Sequence, residues 1–197
     1  DIYLVKTDEN GNSLWTKTFD GGLGEESYSV QQTNDGGYII CGETESLGNG
    51  DWDIYLIKTD DNGDSLWTKT FGGSNDDVGQ SIYQTNDGGY IITGSTQSFG
   101  NGGYDVWLIK TDVNGDSLWT KTFGGTDNDV GYSVQQTNDG GYIITGETNS
   151  FGNGSGDIYL IKTDGNGNIT SPFNIPVSSN RKLEKVVDIL GRETKPN

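Results

Sequence analysis

Two short acidic stretches separate strand-like segments of this chain. They read SNDDVG at 74–79 and TDNDVG at 126–131. Carboxylate and carbonyl oxygens are the ligands that Ca²⁺ takes in proteins, and loops rich in Asp and Asn supply both. The alternative interpretation is a solvated turn in which Asp and Asn bond to the nearby backbone. The calcium candidates are Asp76, Asp77, Asp127 and Asp129.

A second acidic motif, Asp60-x-Asn62-Gly63-Asp64, resembles the beginning of a calcium loop. An EF-hand loop has glycine at its sixth position and glutamate at its twelfth. Here the glycine is fourth and the twelfth residue is Phe71. The spacing therefore favours a hairpin turn over a calcium loop.

The residue types of most catalytic devices are missing. The chain has no histidine and a single cysteine, Cys41, which excludes a Ser-His-Asp triad, an imidazole or thiolate zinc site and an internal disulfide framework. We interpret Cys41 as a small, half-buried strand residue. Paired carboxylates could cleave glycosides, but the acidic residues recur symmetrically along the chain. We assign no catalytic and no cofactor-binding residue.

The chain repeats itself every 52 residues. DIYLVKTD begins at Asp1, and related octapeptides begin at Asp53, Asp105 and Asp157. Residues 53–104 and 105–156 are identical at 39 of 52 positions. A period of about 50 residues is typical of propellers and solenoids.

Each repeat contains four strand-like runs joined by turn signals. Asn-Asp-Gly-Gly at 86–89 and Asn-Gly at 114–115 are strong hairpin signals, since type I′ turns need positive φ. Runs such as IYLI at 54–57 are apolar on both faces, so both faces of the sheet should be covered. The sequence therefore predicts an all-β, propeller-like array of four-stranded antiparallel blades, with the YSVQQT type of strand innermost and the SLWTKTF type outermost.

The repeats predict an open arc of about three to four blades. Residues 1–20 supply two outer strands and 131–164 supply three strands, on either side of full blades at 27–72 and 79–124. We interpret the chain as a fragment of a longer protein. The open ends of such an arc would expose apolar faces, and we expect self-association through them.

The repeat is lost after Asn168. Ser171 replaces the repeated tryptophan and Pro172 follows, which is incompatible with a central strand. We predict repeats over 1–168, a linker over 169–180 and a separate segment over 181–197. The pattern of residues 181–190 fits a helix or a strand equally well.

The stretches WTKTFGG, TNDGGYIITG and YLIKTD resemble the propeller-type repeats of large secreted proteins of diderm bacteria. The tail NRKLEKVVDILGRET resembles the opening of the C-terminal sorting domain of the type IX secretion system, which directs export across the outer membrane. These resemblances imply an extracellular or cell-surface protein. They imply no particular activity, because propellers host many functions.

The net charge of −17, from 29 acidic and 12 basic residues, opposes binding to nucleic acid or to anionic membranes. No stretch approaches the ~20 apolar residues of a membrane-inserting helix. Our first hypothesis is a non-enzymatic module for binding or spacing, with an unknown protein or glycan ligand, no cofactor and calcium as the candidate metal. The alternative is part of a carbohydrate-active propeller enzyme whose active site lies in further blades.

Overall fold

The computed structural model describes residues 1–154, 156–171, 186–187 and 193–194. The described residues are strands and turns, without a helix. The strands are β1 (Ile2–Thr7), β2 (Ser13–Phe19), β3 (Glu25–Gln32), β4 (Tyr38–Thr44), β5 (Asp53–Thr59), β6 (Ser65–Phe71), β7 (Asp77–Gln84), β8 (Tyr90–Thr96), β9 (Asp105–Thr111), β10 (Ser117–Phe123), β11 (Asp129–Gln136), β12 (Tyr142–Thr148), β13 (Asp157–Thr163), β14 (Ile169–Ser171), β15 (Val186–Val187) and β16 (Glu193–Thr194).

The strands form three four-stranded antiparallel meanders, which we name sheet I (β3–β6), sheet II (β7–β10) and sheet III (β11–β14). A two-stranded pair, β1–β2, precedes them, and β15 pairs with β16. The predicted fold, a propeller-like array of four-stranded blades in an open arc, is confirmed. We call the contact of β1–β2 with sheet I the first junction, that of sheets I and II the second, and that of sheets II and III the third.

Tight turns follow from local side-chain chemistry. In the turn between β5 and β6, one carboxylate oxygen of Asp60 accepts hydrogen bonds from the backbone N–H groups of Asn62 (2.9 Å) and Asp64 (2.8 Å). Gly63 completes this turn at φ +80°, a conformation that side chains disfavour. The hairpin interpretation of the Asp60–Asp64 motif is therefore confirmed.

Burial decreases from the middle of sheets I and II towards their outer edges. Every residue of β5 and β9 is buried, whereas β6 and β10 alternate between exposed and half-buried positions. The first strands β3, β7 and β11 contact one another across the junctions and form the inner edge of the arc. This order is the one that the sequence predicts.

A hydrophobic layer fills each junction. The second junction packs Ile54 and Leu56 of sheet I against Tyr90 and Ile92 of sheet II, and Cys41 lies in the same layer. Cys41 is fully buried rather than half-buried as we expected, because sheet II covers this face of β4. Burial raises the pKa of its thiol well above the ordinary value.

Each repeated tryptophan joins its own sheet to the next. The Trp67 ring packs edge-on against Tyr90 of sheet II, with ring centroids 6.0 Å apart. It also covers Gly115 in the outer turn of sheet II, where a Cβ atom would lie 2.8 Å from the indole ring. Trp15 and Trp119 make equivalent contacts with Tyr38 and Tyr142. The glycine of the Asn-Gly turn therefore serves both the turn conformation and the packing of the neighbouring sheet.

The repeat extends slightly further than the sequence indicates. Sheet III has a fourth strand, β14, although we predicted only three strands there and placed the start of the linker at residue 169. Ile169 and Ser171 pair with Thr163 and Lys162 because the preceding turn keeps the geometry of the other repeats. Most of the predicted linker, from 172 onward, lies outside the described residues.

Most of the terminal segment predicted over 181–197 also lies outside the described residues. Val186 and Val187 pair with Thr194 and Glu193 as β15 and β16, so the strand alternative applies at 186–187. Among the described residues, none belongs to a helix that could span a bilayer.

The two terminal faces of the arc expose residues that are buried elsewhere. Ile158, on the outward face of sheet III, is 60% exposed, whereas its equivalents Ile54 and Val106 are fully buried. Val30, on the opposite terminal face, is 56% exposed, whereas its equivalent Ile82 is 5% exposed. Within the chain, a neighbouring repeat covers these positions.

We expect the purified chain to self-associate head to tail. The outward face of sheet III repeats the sequence of the faces that cover the next sheet inside the arc, so it can cover the opposite terminal face of a second copy. Static light scattering should show a mass that rises with concentration, and Ile158→Glu should reduce this rise. Val113→Glu is the control, because Val113 is 57% exposed in a turn away from both faces. A mass that stays that of the monomer over a wide concentration range would contradict the prediction.

Candidate functional site

The two ends of the sheets differ in their connections. At one end, every connection within a sheet is a tight turn such as 60–64 or 112–116. At the other end lie the longer loops within the sheets and the connections between sheets, which we call the connector end. Its segments are 20–24, 45–52, 72–76, 97–104, 124–128 and 149–154. Binding and catalytic residues are commonest on such loops, which makes the connector end the candidate functional site.

Buried carboxylates mark the connector end of each junction. Asp53 and Asp77 flank Gly72 at the second junction, and Asp105 and Asp129 flank Gly124 at the third. All four aspartates are at most 2% exposed. The Gly72 position tolerates no side chain with Asp53 as it is placed, since a Cβ there would lie 1.5 Å from its Oδ1.

The two buried calcium candidates, Asp77 and Asp129, hold the connections between sheets. Asp77 accepts hydrogen bonds from the Gly73 N–H (2.8 Å) and from the Thr96 hydroxyl. Asp129 accepts hydrogen bonds from the Gly125 N–H (2.9 Å) and the Ser150 hydroxyl (2.6 Å). Each aspartate thus ties a connector to the end of the second strand of its sheet.

The other two candidates lie nearer the surface. Asp76 is half-buried and accepts a hydrogen bond of 3.0 Å from the Tyr104 hydroxyl. Burial and this contact raise the pKa of Tyr104 to about 12. Asp127 is exposed. The structure therefore divides the four candidates between two junctions, and the calcium assignment at these residues stays a prediction.

Asp53 and Asp105, the partners of Asp77 and Asp129 in the buried pairs, were not predicted as site residues. Asp53 accepts hydrogen bonds from the Asn49 and Gly50 N–H groups, and Asp105 from that of Asn101. Burial, reinforced by the charge of Asp129, raises the pKa of Asp105 above its ordinary value. The available signal was an aspartate at the first position of each apolar YLIKTD strand.

Not every carboxylate oxygen in these junctions has a partner. Asp53 Oδ1, Asp129 Oδ1 and Glu25 Oε2 are buried and accept no hydrogen bond. Glu25 is the equivalent of Asp77 at the first junction. An unpaired buried carboxylate oxygen carries a desolvation cost of a few kcal/mol unless a proton or a cation satisfies it.

The first junction differs from the others by one substitution. Asp20 occupies the position of Gly72 and Gly124, and it lies beside Asp1 and Glu25. Oxygen atoms of these three carboxylates lie within 4.8 Å of one another, and among the described residues no other group of three such side chains does so.

A polar groove lies at the connector end of the third junction. It has a volume of about 460 Å³ and is open to solvent. It is lined by Gly103, Thr126, Asp127, Asn128, Asn149 and Gly154. Asn128 and Asn149 use their side-chain oxygens to accept hydrogen bonds from the backbone N–H groups of Tyr104 and Gly156, which fixes both amides in place.

A smaller groove of about 280 Å³ lies at the second junction and is aromatic in character. Phe71, Phe99 and Trp107 line it, and the Phe99 and Trp107 rings lie 5.1 Å apart. Phe99 is 45% exposed, so part of its side chain is accessible to a ligand.

Comparisons with known proteins support the fold and indicate no function. No protein-family model matches the chain. A regulatory protein FlaEY from Caulobacter vibrioides is 25% identical over an alignment of 190 positions that covers 80% of this chain and 20% of that protein. The chain thus spans about a fifth of this relative's length.

A solved structure supports the same architecture. The crystal structure of a protein of unknown function from Bacteroides caccae matches with a TM-score of 0.52 and 11% identity, covering 86% of this chain and 56% of that chain. At this identity the match concerns the fold alone.

Proposed function

We propose that the chain is a non-enzymatic repeat module of an extracellular or cell-surface protein, and that its connector end binds a glycan. The observation that carries this proposal is the polar groove of the third junction. Its lining offers hydroxyl, amide and carboxylate groups but no large apolar side chain.

This lining suits the chemistry of a sugar. Sugar hydroxyls donate and accept hydrogen bonds, and Asn and Asp side chains complement both roles. The Asn128 and Asn149 amides are held by the backbone, so their orientation costs little on binding. The exposed part of the Phe99 side chain in the neighbouring aromatic groove offers the apolar contact that a sugar ring face accepts.

The repeat places a similar set of polar side chains at the second junction. At the second junction, Ser74, Asn75, Asp76 and Gln97 occupy the positions of Thr126, Asp127, Asn128 and Asn149. Equivalent sites at a fixed separation strengthen weak binding to a polymer that carries repeated sugar units.

The buried carboxylates support binding rather than hydrolysis. A glycosidase needs one carboxylic acid and one carboxylate in contact with the scissile bond. Asp53, Asp77, Asp105 and Asp129 are at most 2% exposed, so no substrate oxygen reaches them in this conformation.

The proposed extracellular or cell-surface location rests on the resemblance of the repeats to those of secreted bacterial proteins and on the sorting-type tail. The Caulobacter relative bears the name of a regulatory protein. A regulatory role is compatible with a module that acts only by binding.

The proposal is tested with an oligosaccharide array, followed by calorimetry with the best oligosaccharide. We expect the wild-type chain to bind, and Thr126→Trp, which fills the polar groove, to weaken binding at least tenfold. Val113→Trp is the matched control, since it adds the same ring at an exposed position away from the connector end.

Equal binding by the wild type and Thr126→Trp would refute this groove as the binding site, and no binding on the array would refute the glycan. Release of reducing sugar during a long incubation would instead support the carbohydrate-active alternative.

A further inference from the structure

Three carboxylates converge at the connector end of the first junction. Oxygens of Asp1, Asp20 and Glu25 lie within 4.8 Å of one another, and Asp1 and Asp20 are exposed while Glu25 is 4% exposed. Two exposed ligands and one buried ligand leave an open side where water can complete a coordination shell. Such a set of hard oxygen ligands suits a divalent cation.

The buried member of this group supplies an oxygen without a hydrogen-bond partner. Glu25 Oε1 accepts hydrogen bonds from the hydroxyls of Ser46 (2.6 Å) and Thr44 (3.3 Å). Glu25 Oε2 is buried and accepts none. It faces the amino group of Asp1, with which it forms an ion pair of 3.8 Å that is too long for a hydrogen bond.

A cation would satisfy this oxygen, which lies among three carboxylates and accepts no hydrogen bond. Calcium tolerates irregular geometry and several waters, whereas Mg²⁺ requires a near-ideal octahedron.

The other two junctions lack the third carboxylate. They place Gly72 and Gly124 where the first junction has Asp20, and each retains only two acidic side chains. The chain thus contains its own comparison between a two-carboxylate and a three-carboxylate junction in the same fold.

We propose that Asp1, Asp20 and Glu25 form a calcium site at the first junction, where the ion fastens the β1–β2 pair to sheet I. This site is distinct from the connector aspartates considered above and does not depend on glycan binding. Its affinity belongs in the range of extracellular calcium modules, with a Kd on the order of 10⁻⁴ to 10⁻³ M.

The test uses the metal-free chain. Thermal unfolding is followed with and without CaCl₂, and calorimetry measures the binding of Ca²⁺. We expect one ion bound at this site and a melting temperature several degrees higher at millimolar Ca²⁺, since the ion binds the folded state. NaCl at matched ionic strength and MgCl₂ should each raise the melting temperature less than CaCl₂ does.

Asp20→Gly installs the residue that the other junctions carry, so it should fold and lose most of the calcium response. Glu25→Gln keeps the size of the side chain and should also lose it. Glu9→Gln is the control, because it removes one carboxylate from the exposed turn between β1 and β2, at the opposite end of that pair, and it should keep the full response.

Three results would overturn the proposal. They are a wild-type chain without a calcium response, an Asp20→Gly chain with an undiminished response, and a NaCl effect equal to that of CaCl₂. Loss of the response in an additional Asp127→Asn variant but not in Asp20→Gly would move the site to the connectors.

Discussion

Replacing Trp67 with alanine should lower the free energy of unfolding by about 3 kcal/mol, since removal of a large core aromatic costs about 3 to 5 kcal/mol and Trp67 is only partly buried. The ring touches Tyr90 of the next sheet and covers the Gly115 turn. Its loss leaves a gap between sheets I and II that neither backbone can close. Urea unfolding followed by far-UV circular dichroism measures the change.

Leu66→Ala is the matched control for Trp67→Ala. Leu66 precedes Trp67 in β6, faces the opposite direction and is 59% exposed, so its truncation should cost no more than about 0.5 kcal/mol. Similar losses in the two variants would show that β6 does not join the sheets through its tryptophan.

Replacing Asp87 with asparagine should lower the free energy of unfolding by about 2 to 3 kcal/mol. Asp87 forms an ion pair of 2.9 Å with Lys110, whose side chain is only 5% exposed. Replacing the carboxylate with an amide removes the counter-charge and leaves the buried ammonium with neutral oxygen acceptors, such as the Thr111 carbonyl oxygen at 2.8 Å. A buried charge that loses its counter-ion is among the more costly changes in a protein.

Asp139→Asn is the control within the same chain. It removes the equivalent ion pair in sheet III, where the Lys162 side chain is 20% exposed because no further sheet covers it. Water can then solvate the ammonium, and we expect a loss of about 1 kcal/mol. The double variant Asp87→Asn, Lys110→Met should recover most of the stability, since it removes the buried charge. Equal losses in the two single variants would contradict the role of burial.

The effect of Asp87→Asn should also depend on pH. Burial raises the pKa of Asp87, but hydrogen bonds from Thr85 and Lys110 outweigh it and hold the pKa below the ordinary value of 3.8. The stabilisation by this carboxylate is therefore present above pH 3.8 and is lost as the pH falls through the lower pKa of the folded state. The stability difference between wild type and variant should shrink over this acidic range.

The candidate site was only partly predictable. The acidic stretches at 74–79 and 126–131 point to the connector end, and Asp77 and Asp129 do lie in the junctions. Asp53 and Asp105 were missed because each belongs to a different sheet from its partner. Asp20 was missed because, in the sequence, it is only a single substitution in a repeated glycine pair. The structure places it beside Asp1 and Glu25.

The sequence by itself determined the architecture. A 52-residue period, turn signals that require positive φ and strands that are apolar on both faces leave few arrangements other than stacked four-stranded sheets. These signals are local or periodic, so they can be read along one chain. They also located the innermost and outermost strands correctly.

Only the tertiary structure decided which polar groups contact one another and which side chains are exposed to water. Identical lysines differ in burial at 110 and 162 because one has a covering sheet and the other does not. Likewise, Ile54 and Ile158 share a repeat position but differ from fully buried to 60% exposed. Burial of a repeat position depends on the neighbouring sheet, which the repeat itself does not encode.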